Sequence, residues 1–268
     1  KYIGLLKDVG QSISDERFPL NALFLTTSMV FAEDTERQFK RISDPGKIER
    51  SAWIFQPEVA STSPITELAV TDFFNPGGYT TNSIKQWRHN CKILVDKYAG
   101  DIRTFFQAND NDAIKIIDSL VIHPRKKDKQ EFRRFGPKLS RLLIQWVNQY
   151  ELYQLSNTDQ VGLPVDFNVM RIRRQTNGLG FDEPQTAHDV GEKVLTPLLT
   201  KMSSDRGWNP REVSEALYIL GSRGCNPKRH DICPVRDKCK MLISRKPYDK
   251  NGLIDPVSAE IINFEDNR

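Results

Sequence analysis

The sequence predicts an all-α protein, and three observations carry that prediction. Apolar residues recur at helical spacing in two long segments: Ile84, Trp87, Cys91, Leu94, Val95 and Tyr98 in one, Leu139, Leu142, Leu143, Trp146 and Val147 in the other. Turn and cap residues punctuate the chain between such segments. No stretch shows the clear apolar–polar alternation of a strand.

The elements follow in order. Residues 18–40 hold Leu20, Leu23, Phe24, Leu25, Met29, Val30 and Phe31 and end in charge, as a buried helix does. Residues 42–66, with Pro45, Gly46, Pro57, Pro64 and several Ser and Thr, read as a loop or an insertion. Asn75-Pro76-Gly77-Gly78 is a turn, the helix around Trp87 comes next, and Gly100 caps it. A short helix fits 111–121. The helix that begins near Leu139 is the clearest in the chain. Gly162 and Pro164 end the following linker, and a helix over 168–177 is closed by Gly178. Two more fit 187–203 and 210–222. Asn209-Pro210 opens the second, a cap residue before proline at the first helical position. The chain has no internal repeat, and its tail after Pro247 is polar and reads as an extension.

The 268 residues are enough for a real core in one large domain or two small ones. An apolar content of 38% and a charged content of 28% read as soluble and globular rather than disordered. No apolar run approaches the roughly 18 residues of a membrane span, so no membrane partner is expected. Walker, Gly-x-Gly-x-x-Gly and His-Glu-x-x-His motifs are absent. The net charge of +4 says little by itself, but its clustering says more. Pro124-Arg125-Lys126-Lys127-Asp128-Lys129 runs almost directly into Arg133, Arg134 and Lys138. Such a run is either a solvated loop or a contact to backbone phosphates.

Two local frames carry the chemistry. The first, Phe132-Arg133-Arg134-Phe135-Gly136-Pro137-Lys138-Leu139-Ser140, is a tight basic turn that feeds the clearest helix. Backbone N–H groups at a helix N-terminus make an anion site. Gly136 permits close approach and Pro137 fixes the entry of the helix. Lys138 stands in the first turn, where the dipole disfavours a cation and favours the neutral amine a nucleophile requires. The plain alternative is an ordinary surface lysine. The second frame, Leu163-Pro164-Val165-Asp166-Phe167-Asn168-Val169-Met170-Arg171, sets a lone carboxylate between an apolar extended stretch and a new helix. Asp166 fits a helix N-cap, worth about 1 kcal/mol. A capped carboxylate is also rigid and ionised, and it can stabilise positive charge at an anomeric carbon. An amine and a carboxylate at two helix starts beside a phosphate-binding turn suit cleavage of a base–sugar bond.

Cys225, Cys233 and Cys239 crowd near the C-terminus, which favours a metal or cluster over disulfides. Cys91 reads as a core residue, and His89, His123 and His188 as structural or exposed.

The first frame resembles the hairpin of the helix-hairpin-helix DNA glycosylases, and the second their catalytic-aspartate segment. The likeness, greatest to the endonuclease III-like members, covers most of residues 18–245 in matching order. Gly77-Gly78-Tyr79, the Cys91-Lys92-Ile93-Leu94 helix and Gly100-Asp101 resemble the part upstream of the hairpin. Helix 210–222 and the Cys225–Cys239 loop resemble the family's end. The resemblance implies two helical lobes flanking a DNA cleft, with the target base flipped out of the stack. One lobe would span 21–159 and end in the hairpin; the other would join 1–20 to 160–268. It implies Lys138 as the Schiff-base nucleophile and Asp166 as the catalytic carboxylate. Arg133, Arg134, Gly136, Lys126, Lys127 and Arg171 become the DNA contacts. The reaction implied is base excision with lyase cleavage on double-stranded DNA, by an intracellular monomer in the cytoplasm, nucleoid or nucleus. A glycosylase that uses water, with Lys138 only binding phosphate, and a non-catalytic DNA-binding module stay open beside it.

The chain departs from the family's pattern in several places, residues 42–66 and 122–130 reading as insertions among them. Arg134 replaces the first hairpin glycine, Asn168 stands where many members have His, and the stretch between Lys138 and Asp166 is longer. In the cysteine loop His230 stands where a cysteine is usual. The family implies a [4Fe-4S] cluster on Cys225, His230, Cys233 and Cys239, while the donors themselves suit zinc; a metal-free loop is the third reading.

Overall fold

The computed structural model describes residues 2–29, 39–40, 42–74, 81–121, 131–165, 168–170, 172, 190–225, 234, 242–244 and 259–261. These residues are mostly helical and fall into two compact units, Lys1–Val161 and Gly162–Arg268.

The first unit opens with α1 (Tyr2–Ser12) and α2 (Phe18–Met29). Nearly every side chain of α2 is buried, so it shows no amphipathic period; it is the central helix of this unit. Tyr2, Ile3, Leu6 and Val9 of α1 lie in the same core, and the Tyr2 hydroxyl meets Thr26 Oγ1 at 2.9 Å. Residues 1–20 therefore sit with the first unit, where the sequence reading grouped them with 160–268.

The expected loop over 42–66 is helical. It contains α3 (Pro45–Arg50), a 3-10 turn (Ala52–Phe55), α4 (Pro57–Thr62) and the start of α5 (Thr66–Phe74). Pro45 and Pro57 occupy first helical positions, where proline's missing N–H costs nothing, and Asp44 caps α3 by accepting from the Lys47 N–H. Prolines read as breakers are starts here. Ile48, Ile54, Phe55 and Ala60 are fully buried, and Trp87 Nε1 donates to the Ile54 carbonyl at 3.1 Å.

Next come α6 (Thr81–Tyr98), α7 (Ile102–Ala108), α8 (Ala113–Leu120) and α9 (Pro137–Gln149). Gly100 ends α6 as expected, at φ +74. A Cβ there would also stand 2.1 Å from Glu58 Oε1. Buried Asn21 clamps this corner by donating to the Gly100 carbonyl at 2.8 Å and accepting from the Ile102 N–H at 3.0 Å. On α9 the buried row is Ser140, Leu143, Ile144 and Val147, so the stripe is rotated from the one anticipated; Leu139, Leu142 and Trp146 are only partly buried. Cys91 is a buried core residue, and burial, aided by Glu58, pushes its thiol well above the ordinary range.

In the second unit, residues 168–170 and 172 are helical. A π-helical stretch (Val190–Leu195) leads into α10 (Thr196–Asp205). Then α11 (Pro210–Ile219) runs into a second π-helical stretch, Leu220–Cys225. Val165, Val169, Met170 and Leu195 make its core, with Leu199 and Leu217 against them. The tail is not wholly extension: β1 (Leu242–Ser244) pairs antiparallel with β2 (Ala259–Ile261), Leu242 opposite Ile261. Among the described residues, no helix is long and apolar enough to cross a membrane.

Candidate nucleic-acid interface

The basic turn is held to α6 by side chains that bond to its backbone. Asn90 Oδ1 accepts from the Arg133 N–H at 2.8 Å, and Asn90 Nδ2 donates to the Arg133 carbonyl at 3.2 Å. His89 Nε2 meets the Glu131 carbonyl at 2.9 Å, which gives that histidine a structural role. The Glu131 carboxylate takes the Lys97 ammonium on one oxygen and the Tyr98 hydroxyl on the other. Burial alone would raise the Glu131 pKa, but these two donors outweigh it and hold the carboxyl below its usual range. Tyr98 moves the other way, because burial and the facing carboxylate both disfavour its phenolate.

Aromatic rings fix the rest of the turn. Phe132 lies edge-on to Phe24 and Phe105 and stacks with Tyr98 at 5.7 Å. Phe135 stacks on Phe24 with ring centroids 4.7 Å apart. Both phenylalanines are fully buried, so the arginines between them follow the backbone these anchors impose.

Arg134 adopts φ +76, a left-handed conformation costing a non-glycine residue about 1–2 kcal/mol. This is the position where a glycine would be at ease. Partial burial also pulls its guanidinium pKa below the ordinary value. Gly136 is the N-cap of α9 with φ −103 and ψ 179, an extended conformation open to any residue. A Cβ built on it meets nothing within 4 Å. Neither its φ nor a neighbouring side chain requires the glycine, and it offers no side-chain acceptor to the first-turn N–H groups of α9. Pro137 is the first helical residue and Lys138 the second, as the frame anticipated, and Lys138 is half-buried.

The second frame is described on both flanks of Asp166. The Leu163 N–H donates to Thr200 Oγ1 at 3.3 Å, and Thr196 Oγ1 donates to the Leu163 carbonyl at 3.1 Å. Two threonines one turn apart on α10 thus grip a single extended residue. Val165 is buried in the second core, and Asn168 is helical. Asp166 itself, with Lys126, Lys127 and Arg171, lies outside the described residues, as do His230, Cys233 and Cys239. Cys225 is the last residue of the π-helical stretch after α11. Among the described residues, no three His, Cys, Asp or Glu side chains gather as a metal site.

Sequence reasoning missed Asn90. Its signal was present: a polar residue in the row formed by Trp87, Cys91 and Leu94, all of which are buried. The threonine pair at 196 and 200 carried no readable signal, because helical threonines commonly bond their own backbone, as Thr200 does to the Thr196 carbonyl at 2.7 Å. Comparison of the chain with protein-family models, with curated proteins and with solved structures returned no match.

Proposed function

We propose that this protein is a base-excision DNA glycosylase with Schiff-base lyase activity. The observation that carries the reading is the turn 131–138. Arg133 and Arg134 precede, and Lys138 follows, the glycine cap of a 13-residue helix, and a Cβ on that glycine would meet open space. Backbone amides, a helix dipole and guanidinium groups together suit a phosphodiester. The second frame supplies Asp166, two positions before the helical Asn168 in the sequence.

In this reading the Lys138 amine attacks the anomeric carbon of a flipped nucleotide, and Asp166 stabilises positive charge on the sugar while taking the amine's proton. The base leaves with the electrons of the glycosidic bond. The C1′–O4′ bond then breaks, O4′ takes the proton held by Asp166, and the lysine–sugar imine that forms acidifies the adjacent C–H, so β-elimination expels the 3′ phosphate. Gly136, Arg133, Arg134, Lys126, Lys127 and Arg171 hold the strand. Cys225, His230, Cys233 and Cys239 hold a [4Fe-4S] cluster, or zinc in its place. The protein acts as a monomer on double-stranded DNA.

The test is a panel of duplexes bearing oxidised, alkylated, deaminated and modified bases, assayed for base release and strand nicking. Borohydride should trap a covalent protein–DNA adduct with the wild type and none with Lys138→Ala. Base release that survives Lys138→Ala without an adduct assigns the chemistry to water. Full activity in Asp166→Asn, or none on any duplex, removes the glycosylase reading.

A further inference from the structure

Asn90 is fully buried on α6, in the same row as Trp87, Cys91 and Leu94. A buried amide is costly unless its donor and acceptor are both satisfied. Here both are satisfied by one residue, since Oδ1 takes the Arg133 N–H and Nδ2 gives to the Arg133 carbonyl. The side chain thus imitates the paired bonds of a neighbouring strand. The residue it grips directly precedes Arg134, whose left-handed backbone persists only where the surroundings over-determine it. On the other side Phe135 is locked on Phe24. Arg134 is therefore held at both ends, against its own conformational preference.

We propose that Asn90 is a positioning residue for nucleic-acid binding: through the backbone of Arg133 it holds Arg134 left-handed and so sets where that guanidinium meets a DNA backbone phosphate. The inference rests on the DNA-binding reading above. It accounts for an arginine at a position whose backbone suits glycine, since glycine there relieves strain but supplies no charge.

The experiment uses the full chain and a duplex with a tetrahydrofuran abasic site, with binding titrated across salt. The variants are Asn90→Asp, which keeps the acceptor and loses the donor, Asn90→Ser, Arg134→Gly and the double variant Asn90→Asp/Arg134→Gly. Arg134→Gly should melt at or above the wild type, bind about tenfold more weakly and lower the salt slope by about one. Each Asn90 variant should lose a similar factor, and the double variant should lose no more than Arg134→Gly alone. Wild-type affinity and slope in the Asn90 variants, or losses that add in the double variant, overturn the proposal. If neither Asn90 variant folds, Arg134→Gly decides, and a melting point below the wild type overturns it. No salt-dependent binding by the wild type sinks the DNA reading itself, whereas wild-type binding with indifferent Asn90 variants sinks only this inference.

Discussion

Gly221 lies directly against the backbone of Asn168. A Cβ on Gly221 would stand 2.6 Å from the Asn168 Cβ, 2.7 Å from its carbonyl oxygen and 2.8 Å from its carbonyl carbon. Gly221 belongs to the π-helical stretch Leu220–Cys225, and the helical Asn168 stands two positions after Asp166 in the sequence. Backbone cannot swing aside as the end of a side chain can, so any larger residue at 221 displaces the backbone at Asn168, and on the proposed function disturbs the nearby Asp166. Gly221→Ala should destabilise the second unit by about 1–3 kcal/mol, the range for overpacking, and lower base release at least tenfold. Thermal melting and the lesion panel check this, and an unchanged melting curve with unchanged turnover refutes it.

The Glu131 cluster ties the basic turn to pH. The folded pKa of Glu131 lies below its unfolded value, so the stabilisation it provides is complete above the ordinary carboxylate pKa. That stabilisation is lost as the pH falls through the lower folded value. Acid should therefore loosen the docking of 131–135 on α6 at pH below about 4.5. Glu131→Gln should remove this acid-side loss. At neutral pH it should cost less than about 1 kcal/mol, because the ion pair with Lys97 is half exposed. Hydrogen exchange of the turn amides from neutral pH down to about 3 would show the difference, and identical acid profiles would count against it.

The sequence announced these features unevenly, and the reasons are physical. The helix around Trp87 and the one from Pro137 were readable because each buries one face, which imprints a period on the apolar residues. α2 was readable only as a run, since a helix buried all round keeps no period. The 42–66 segment misled because its prolines sit at helix starts, a position that only the fold distinguishes from a break. In the candidate site, the turn and Lys138 at the helix start were legible from local residue types. What holds the turn was not, because Asn90 acts from another helix, 43 positions away in the chain.

Ser140 offers a cleaner case of unused polarity. It is fully buried in the first turns of α9, and its hydroxyl has no hydrogen-bond partner. Other helical hydroxyls here bond back to the preceding turn, as Thr27 does to the Leu23 carbonyl at 2.7 Å. An unsatisfied buried hydroxyl carries its full desolvation cost, about 1–3 kcal/mol. Ser140→Ala removes that cost with little change of shape, so it should be neutral or raise stability by up to about 1 kcal/mol. DNA affinity should be unchanged. A clear loss of stability on urea unfolding would mean that a buried water completes the site.

The cysteine loop gives the last prediction. Cys225 ends a π-helical stretch that continues α11, so a ligand set beginning there would couple the metal directly to that helix. Three thiols, and the imidazole where it is protonated, must lose a proton to bind, and the folded loop then depends on the ion. The purified chain should therefore carry stoichiometric iron with a visible iron–sulfur absorption, or zinc without one. Chelation should lower the melting point of the second unit while leaving far-ultraviolet helicity from the first unit in place. His230→Cys supplies a fourth thiolate, the usual donor to an iron–sulfur cluster, so it should raise iron content if the site holds a cluster and leave it near zero if the site holds zinc. A chain without either metal, whose melting is indifferent to chelators and to Cys233→Ser, would leave the loop held by packing alone.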